Sequence, residues 1–181
     1  MNQCYCKVNN LQTDIYTDYF LNEFIPKNAI TANTTLTTFN QNLINDEMIN
    51  RLGKELQLNY KFYYPIQSFF IFYHIANQRI HIDGSQTIYQ SSLNLPLVGS
   101  ENTKMIFYNE LEYYDWEIGT AHYIHNDLTV KETLYHSNEW VFINPSIPHH
   151  IVGPTIENPR ITLCIRFSGN PKFNKCKNYF I

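Results

Sequence analysis

The chain has 181 residues, 44% of them hydrophobic and 15% aromatic, with a formal charge of −3. That length predicts one domain, spanning 1–181, with a sizeable core, and the composition excludes a disordered chain. The slightly acidic balance argues against a nucleic-acid binder that works through a general basic surface, leaving only a local groove for that role.

The N-terminal MNQCYCKVNN lacks the apolar stretch of a secretory signal. Cys4, Cys6, Cys164 and Cys176 contain no CxxC pair and predict reduced thiols in a cytoplasmic protein, not a disulfide framework. Residues 1–67 read as a wrapping segment. They hold an apolar cluster at Ile15–Phe24, a Thr-rich stretch at Thr31–Thr38, and a helix over Asp46–Leu58 with Asp46 as N-cap. Met48, Ile49, Leu52, Leu56 and Leu58 form its apolar stripe.

From Ser68 the pattern changes to strands. They are Ser68–Ala76, Arg79–Ile82, Ser91–Pro96, Thr103–Tyr108, Tyr113–Tyr114, Ala121–His125, Leu128–Leu134, Glu139–Ile143, His150–Val152 and Arg160–Phe167. Asn, Asp, Ser and Pro mark the turns between them, because Gly is scarce. The apolar run around Phe69–Ile75 is too short to cross a bilayer. Many short strands over 68–168 predict an all-β core, a sandwich or barrel, with flanking helices and a tail at 169–181.

Three features in this region carry chemistry. His81-Ile82-Asp83 ends a strand at a Gly-Ser turn. Residues two apart in a strand share a face, so His81 and Asp83 can converge on one ion. A second histidine completes the facial triad preferred by non-haem Fe(II), with three positions left open. Pro148-His149-His150 supplies it, and because the two rings face opposite sides only one coordinates easily. Third, Arg160, Thr162, Cys164 and Arg166 alternate along one strand face. An inward guanidinium there suits a dicarboxylate, which its planar fork grips bidentately.

The order HxD, His, Arg resembles the Fe(II)/2-oxoglutarate-dependent oxygenase superfamily over roughly Tyr73–Ser168. Ser92-Leu93-Asn94-Leu95-Pro96-Leu97, Glu101-Asn102-Thr103 and Ile106-Phe107-Tyr108 look like the strand pair after HxD in small phage and bacterial members. The run from Trp140 to His149 looks like their distal-histidine segment, where the ligand follows Pro, which favours His149 over His150. Arg160 to Arg166 partly resembles the RxNxTxR strand of AlkB-type members, whose two arginines hold 2-oxoglutarate. The middle positions differ, so the likeness does not extend to nucleic-acid demethylation.

The resemblance implies a double-stranded β-helix (a jelly roll, cupin-like) with Fe(II) at the catalytic residues His81, Asp83 and His149. It implies 2-oxoglutarate bound through Arg160, with Asn94, Tyr73, Thr162 and Arg166 around it. The reaction implied is hydroxylation of a small-molecule or peptide substrate, with 2-oxoglutarate converted to succinate and carbon dioxide. Two other readings compete: a cupin-type dioxygenase or isomerase that needs no 2-oxoglutarate, and a non-catalytic β-helix binding domain. Residue by residue, Asp83 alone also fits a turn cap and His150 a core position. Arg166 fits a structural ion pair as well as it fits acid binding. Arg79, two before His81, fits either the pocket mouth or a surface ion pair. His74, His122, His125 and His136 show no partner pattern and read as strand or loop histidines.

Overall fold

The structure, a computed structural model, describes residues 3–28, 30, 37–38, 46–83, 90–109, 115–117, 120–122 and 128–181. The helical elements are α1 (Asp14–Tyr19), a π-helical turn (Phe20–Phe24) that runs on into α2 (Ile25–Lys27), α3 (Glu47–Tyr60), α4 (Phe173–Cys176) and a 3-10 turn (Lys177–Tyr179). The strands are β1 (Tyr5–Lys7), β2 (Thr37–Thr38), β3 (Ile66–His74), β4 (His81–Asp83), β5 (Ser92–Val98) and β6 (Lys104–Tyr108). They continue with β7 (Asp115–Glu117), β8 (Thr120–His122), β9 (Val130–Tyr135), β10 (Val141–Ile143), β11 (His149–Val152) and β12 (Arg160–Phe167).

Among the described residues the strands form two six-stranded sheets. The first has the order β1-β10-β5-β12-β3-β2 and the second β7-β8-β4-β11-β6-β9. Every neighbouring pair is antiparallel. The long central strands β3 and β12 are rich in aromatic and β-branched residues, which pack well on a pleated surface.

Alternation along β12 divides its neighbours. Ile161, Leu163 and Ile165 join Phe69, Ile71, Leu93 and Leu95 against Tyr16, Phe20, Phe24, Ile49, Leu52 and Leu56 of the helices. Arg160, Thr162 and Cys164 face a pocket toward the second sheet. A smaller cluster joins the sheets, with Val141 and Ile143 of the first meeting Met105, Phe107, Leu134 and Ile151 of the second. The helices therefore seal one face of the first sheet in hydrocarbon. Its other face is free to carry polar groups.

The expected helix is present, two residues longer at its C-terminal end. Asp46 caps it, its carboxylate accepting from the backbone N–H of Met48 at 2.9 Å and of Ile49 at 3.2 Å. Ile49, Leu52 and Leu56 are buried and Met48 packs against them, each full burial stabilising by about 1.5–3 kcal/mol. Leu58, placed on the stripe by sequence, is instead 71% exposed, because it falls beyond the arc that meets the sheet. The helical turns over Asp14–Lys27 fall on the apolar cluster at Ile15–Phe24, and the edge strand β1 appears where sequence showed only a wrapping segment. All four cysteines are free thiols. Among the described residues no helix is long and apolar enough to cross a membrane. The expected strand Tyr113–Tyr114, residues 123–125 of the strand expected at Ala121–His125, and the Thr-rich stretch apart from Thr37–Thr38 lie outside the described residues.

Candidate metal centre and acid pocket

Strands β4 and β11 pair so that His149 lies directly opposite His81. Asp83 follows His81 by two residues and returns to the same face. Ligand atoms of His81, Asp83 and His149 all lie within 4.8 Å of one another. Asp83 Oδ1 is the shared point, 3.3 Å from His81 Nε2 and 3.8 Å from His149 Nε2.

Both imidazoles are oriented by their own backbone. His81 Nδ1 lies 2.8 Å from the carbonyl of Arg79, and His149 Nδ1 lies 2.8 Å from the carbonyl of Ile147. An Nδ1–H donating to a carbonyl leaves the Nε2 lone pair directed inward, the tautomer a metal ligand needs. Cis ligands bonded at about 2.1 Å sit about 3 Å apart, so the three donors need only small shifts to share one ion. Two neutral nitrogens and one carboxylate oxygen on one side of a pocket make the donor set of a facial triad.

The electrostatics separate the two histidines. Burial opposes a charge on His81, but the hydrogen bond and charge of Asp83 outweigh it and raise its pKa. Burial lowers His149 to about 4. Burial also opposes ionisation of Asp83, yet Arg166, assisted by His81 and His149, holds its carboxyl well below the usual carboxylate range. Arg166 Nη2 bonds directly to Asp83 Oδ2. The structural ion pair considered for Arg166 is therefore present, and its partner is Asp83. This contact occupies Oδ2 and leaves Oδ1 to the histidines.

The pocket beside the triad is lined by Phe72, His74, Gln78, Asn94, Arg160, Thr162 and Cys164, together with the three triad residues. Arg160 is only 1% exposed, and its Nε, Nη1 and Nη2 find no hydrogen-bond partner among the described residues. Burial lowers it to about 9, so it stays charged at neutral pH. A buried, unpaired guanidinium costs several kcal/mol unless an anion meets it. Asn94 Oδ1 and Thr162 Oγ1 are likewise buried without a partner.

Of the residues singled out by sequence, the structure brings His81, Asp83, His149, Arg160, Asn94 and Thr162 to one pocket, with Arg166 on Asp83. His150 points elsewhere, its Nε2 3.4 Å from the Tyr108 hydroxyl. Tyr73 is a correction: it packs against the helix-side core, and its neighbours Phe72 and His74 face the pocket. Arg79 meets the site through its carbonyl. His122 and His125 have side chains outside the described residues.

Sequence reasoning missed two histidines. His74 lies opposite Arg160 in the β3–β12 register. His136 has both ring nitrogens buried without a partner among the described residues and feels the charge of Arg160. Neither belongs to a motif, and only strand pairing reveals them.

No family model matches the sequence, and no curated protein matches it. Among solved structures the neighbours include proteins described as α-ketoglutarate-dependent or holding iron or nickel with that acid. The epimerase SnoN, in complex with Fe3+, α-ketoglutarate and nogalamycin RO, superposes with a TM-score of 0.60 at 12% identity, over 89% of this chain and 77% of that one. The non-haem α-ketoglutarate-dependent carbocyclase SnoK from nogalamycin biosynthesis gives 0.57 at 11%, over 91% and 80%. HygX from Streptomyces hygroscopicus, with nickel and 2-oxoglutarate bound, gives 0.56 at 8%, over 93% and 83%. At such identities the likeness establishes a shared fold, that of mostly antiparallel sheets with few helices.

Proposed function

We propose that this protein is an Fe(II)- and 2-oxoglutarate-dependent oxygenase of the hydroxylase type, built as a single double-stranded β-helix domain over 1–181. His81, Asp83 and His149 hold Fe(II), and Arg160, with Thr162 and Asn94, receives the acid. The observation that carries the reading is the buried Arg160 guanidinium, without a partner among the described residues, in the same pocket as two inward imidazole nitrogens and a carboxylate oxygen. A metal site that needed no acidic cosubstrate would have no use for that cation, which disfavours the cupin-type alternative. The iron and 2-oxoglutarate bound by the neighbours SnoN and HygX, the latter's metal being nickel, support the same pairing.

When bound, Fe(II) and 2-oxoglutarate supply the oxidising power: dioxygen and 2-oxoglutarate go in, succinate and carbon dioxide come out, and one oxygen atom reaches a substrate C–H bond. The protein's own part is placement. Arg79 and Ile147 carbonyls fix the ring tautomers, and Arg166 turns Asp83 so that one oxygen faces the ion. Arg160 anchors the far end of the acid, and Phe72, Met105, Ile143 and Ile151 wall the pocket against water.

The test is binding and turnover together. Mn(II) followed by 2-oxoglutarate should bind to wild-type protein in calorimetry. His81→Ala should lose metal binding, and Arg160→Ala should keep the metal and lose the acid by at least a hundredfold. With Fe(II), oxygen and 2-oxoglutarate, wild-type protein should form succinate. Full acid affinity in Arg160→Ala would refute the assignment.

A further inference from the structure

We propose that His74 recognises the distal carboxylate of the acid jointly with Arg160, and so selects a dicarboxylic over a monocarboxylic 2-oxo acid; this rests on reading the pocket as a 2-oxo acid site. The β3–β12 register sets His74 opposite Arg160, and both line the pocket beside Thr162. The His74 ring is held in place, stacked on Phe72 with centroids 5.8 Å apart and planes 20° apart. Its Nε2 lies 2.6 Å from Gln78 Nε2. The amide N–H donates to that nitrogen, so the ring proton sits on Nδ1. Gln78 is tied down in turn, its backbone N–H donating to the Ile151 carbonyl at 2.9 Å.

His74 Nδ1 is buried and has no partner among the described residues. It is therefore an oriented, unused donor next to an unused guanidinium. Burial, reinforced by the Arg160 cation, lowers His74 to about 3, so the ring offers one N–H and no charge. A carboxylate has about four acceptor positions. The Arg160 fork fills two, the Thr162 hydroxyl a third and the His74 Nδ1–H a fourth. The Arg160 fork, the Thr162 hydroxyl and the His74 Nδ1–H can thus together fill the acceptor positions of one carboxylate.

Calorimetry of Mn(II)-loaded protein with two acids of equal chain length, 2-oxoglutarate and 2-oxovalerate, tests this. A hydrogen bond to a charged group is worth about 1.5–3 kcal/mol, so His74→Phe should weaken 2-oxoglutarate about ten- to a hundredfold. The same variant should leave 2-oxovalerate within twofold and the Mn(II) affinity of acid-free protein unchanged. His74→Asn, which can place an amide N–H where Nδ1 was, should recover most of the loss. Where His74→Phe does not fold, His74→Leu takes its place. Equal weakening of both acids, or unchanged 2-oxoglutarate affinity, overturns the proposal. Wild-type protein that binds Mn(II) but neither acid overturns the pocket reading and this assignment with it.

Discussion

Asp83 serves two partners, with one carboxylate oxygen on the Arg166 guanidinium and the other facing the imidazole nitrogens of His81 and His149. Removing the guanidinium leaves a buried anion uncompensated, a loss of about 3–5 kcal/mol for such pairs. Arg166→Met should therefore be destabilised by that order in urea unfolding with chelator present. Saturating Mn(II) should restore much of the difference, because the ion replaces the missing positive charge.

The histidines predict how the metal-free protein responds to acid. His74 and His149 are held neutral by burial down to about 3 and 4, and burial also lowers His136 and His150. In the unfolded chain each accepts a proton near pH 6.5. Below that pH the unfolded state binds more protons, so each of the four contributes stability that is lost as pH falls. His81, raised by Asp83, acts in the opposite sense, its contribution being present at low pH and lost as pH rises through its folded value. Four outweigh one. Unfolding free energy in chelator should fall between pH 7 and pH 5, at about 1.4 kcal/mol per pH unit for each net proton. A flat profile contradicts this.

The clustering of His81, Asp83 and His149 was legible because HxD on a strand puts two side chains on one face, and Pro before His149 separated it from His150. Tyr73 went astray for a physical reason. The β3 sequence IQSFFIFYH is apolar on both faces, so alternation cannot tell which side meets the pocket. His74 was hidden by the same ambiguity.

At the scale of elements, glycines show how closely the site depends on its connections. Gly99, at φ +74°, follows β5, and a Cβ there would lie 2.3 Å from the Pro159 carbonyl oxygen and 3.0 Å from Arg160 Cα. That backbone carries the Arg160 guanidinium and has little freedom to retreat. Gly99→Ala should cost stability and weaken 2-oxoglutarate binding more than Mn(II) binding. Gly169, at φ +76°, has no atom of the described residues within 4 Å of the same position, so Gly169→Ala should cost only about 1 kcal/mol and leave both ligands unaffected. Two elements escaped the sequence reading for related reasons. In Asp14–Lys27, Tyr16, Phe20 and Phe24 recur at helical spacing, but polar residues and Pro26 dilute the stripe. Around β1 the alternation of Cys4, Cys6 and Val8 is only three buried residues long, and the strand pairs with distant β10. The helix over Glu47–Tyr60 was legible because a capping Asp and a clean apolar stripe coincide.

For the whole molecule, the decisive arrangement is that the two halves of the site belong to different sheets. His81, Asp83 and His149 stand on β4 and β11 of the second sheet. Arg160, Thr162 and His74 stand on β12 and β3 of the first. An acid held by the ion at one end and by Arg160 at the other spans the interface between the sheets, which apolar contacts such as those of Ile143 and Ile151 otherwise hold. The metal and the acid should therefore stabilise the fold cooperatively. In thermal unfolding, Mn(II) alone should give a modest rise. 2-Oxoglutarate alone should give little, because half of its binding site is the ion. The two together should exceed the sum of the separate shifts, with stabilisation approaching about 4 kcal/mol at a thousandfold excess over Kd. Replacing 2-oxoglutarate with 2-oxovalerate should return the shift nearly to that of Mn(II) alone, because the bond to the first sheet is then missing. Strictly additive shifts would mean that the metal and the acid occupy independent sites, and that the buried arginine serves some other anion.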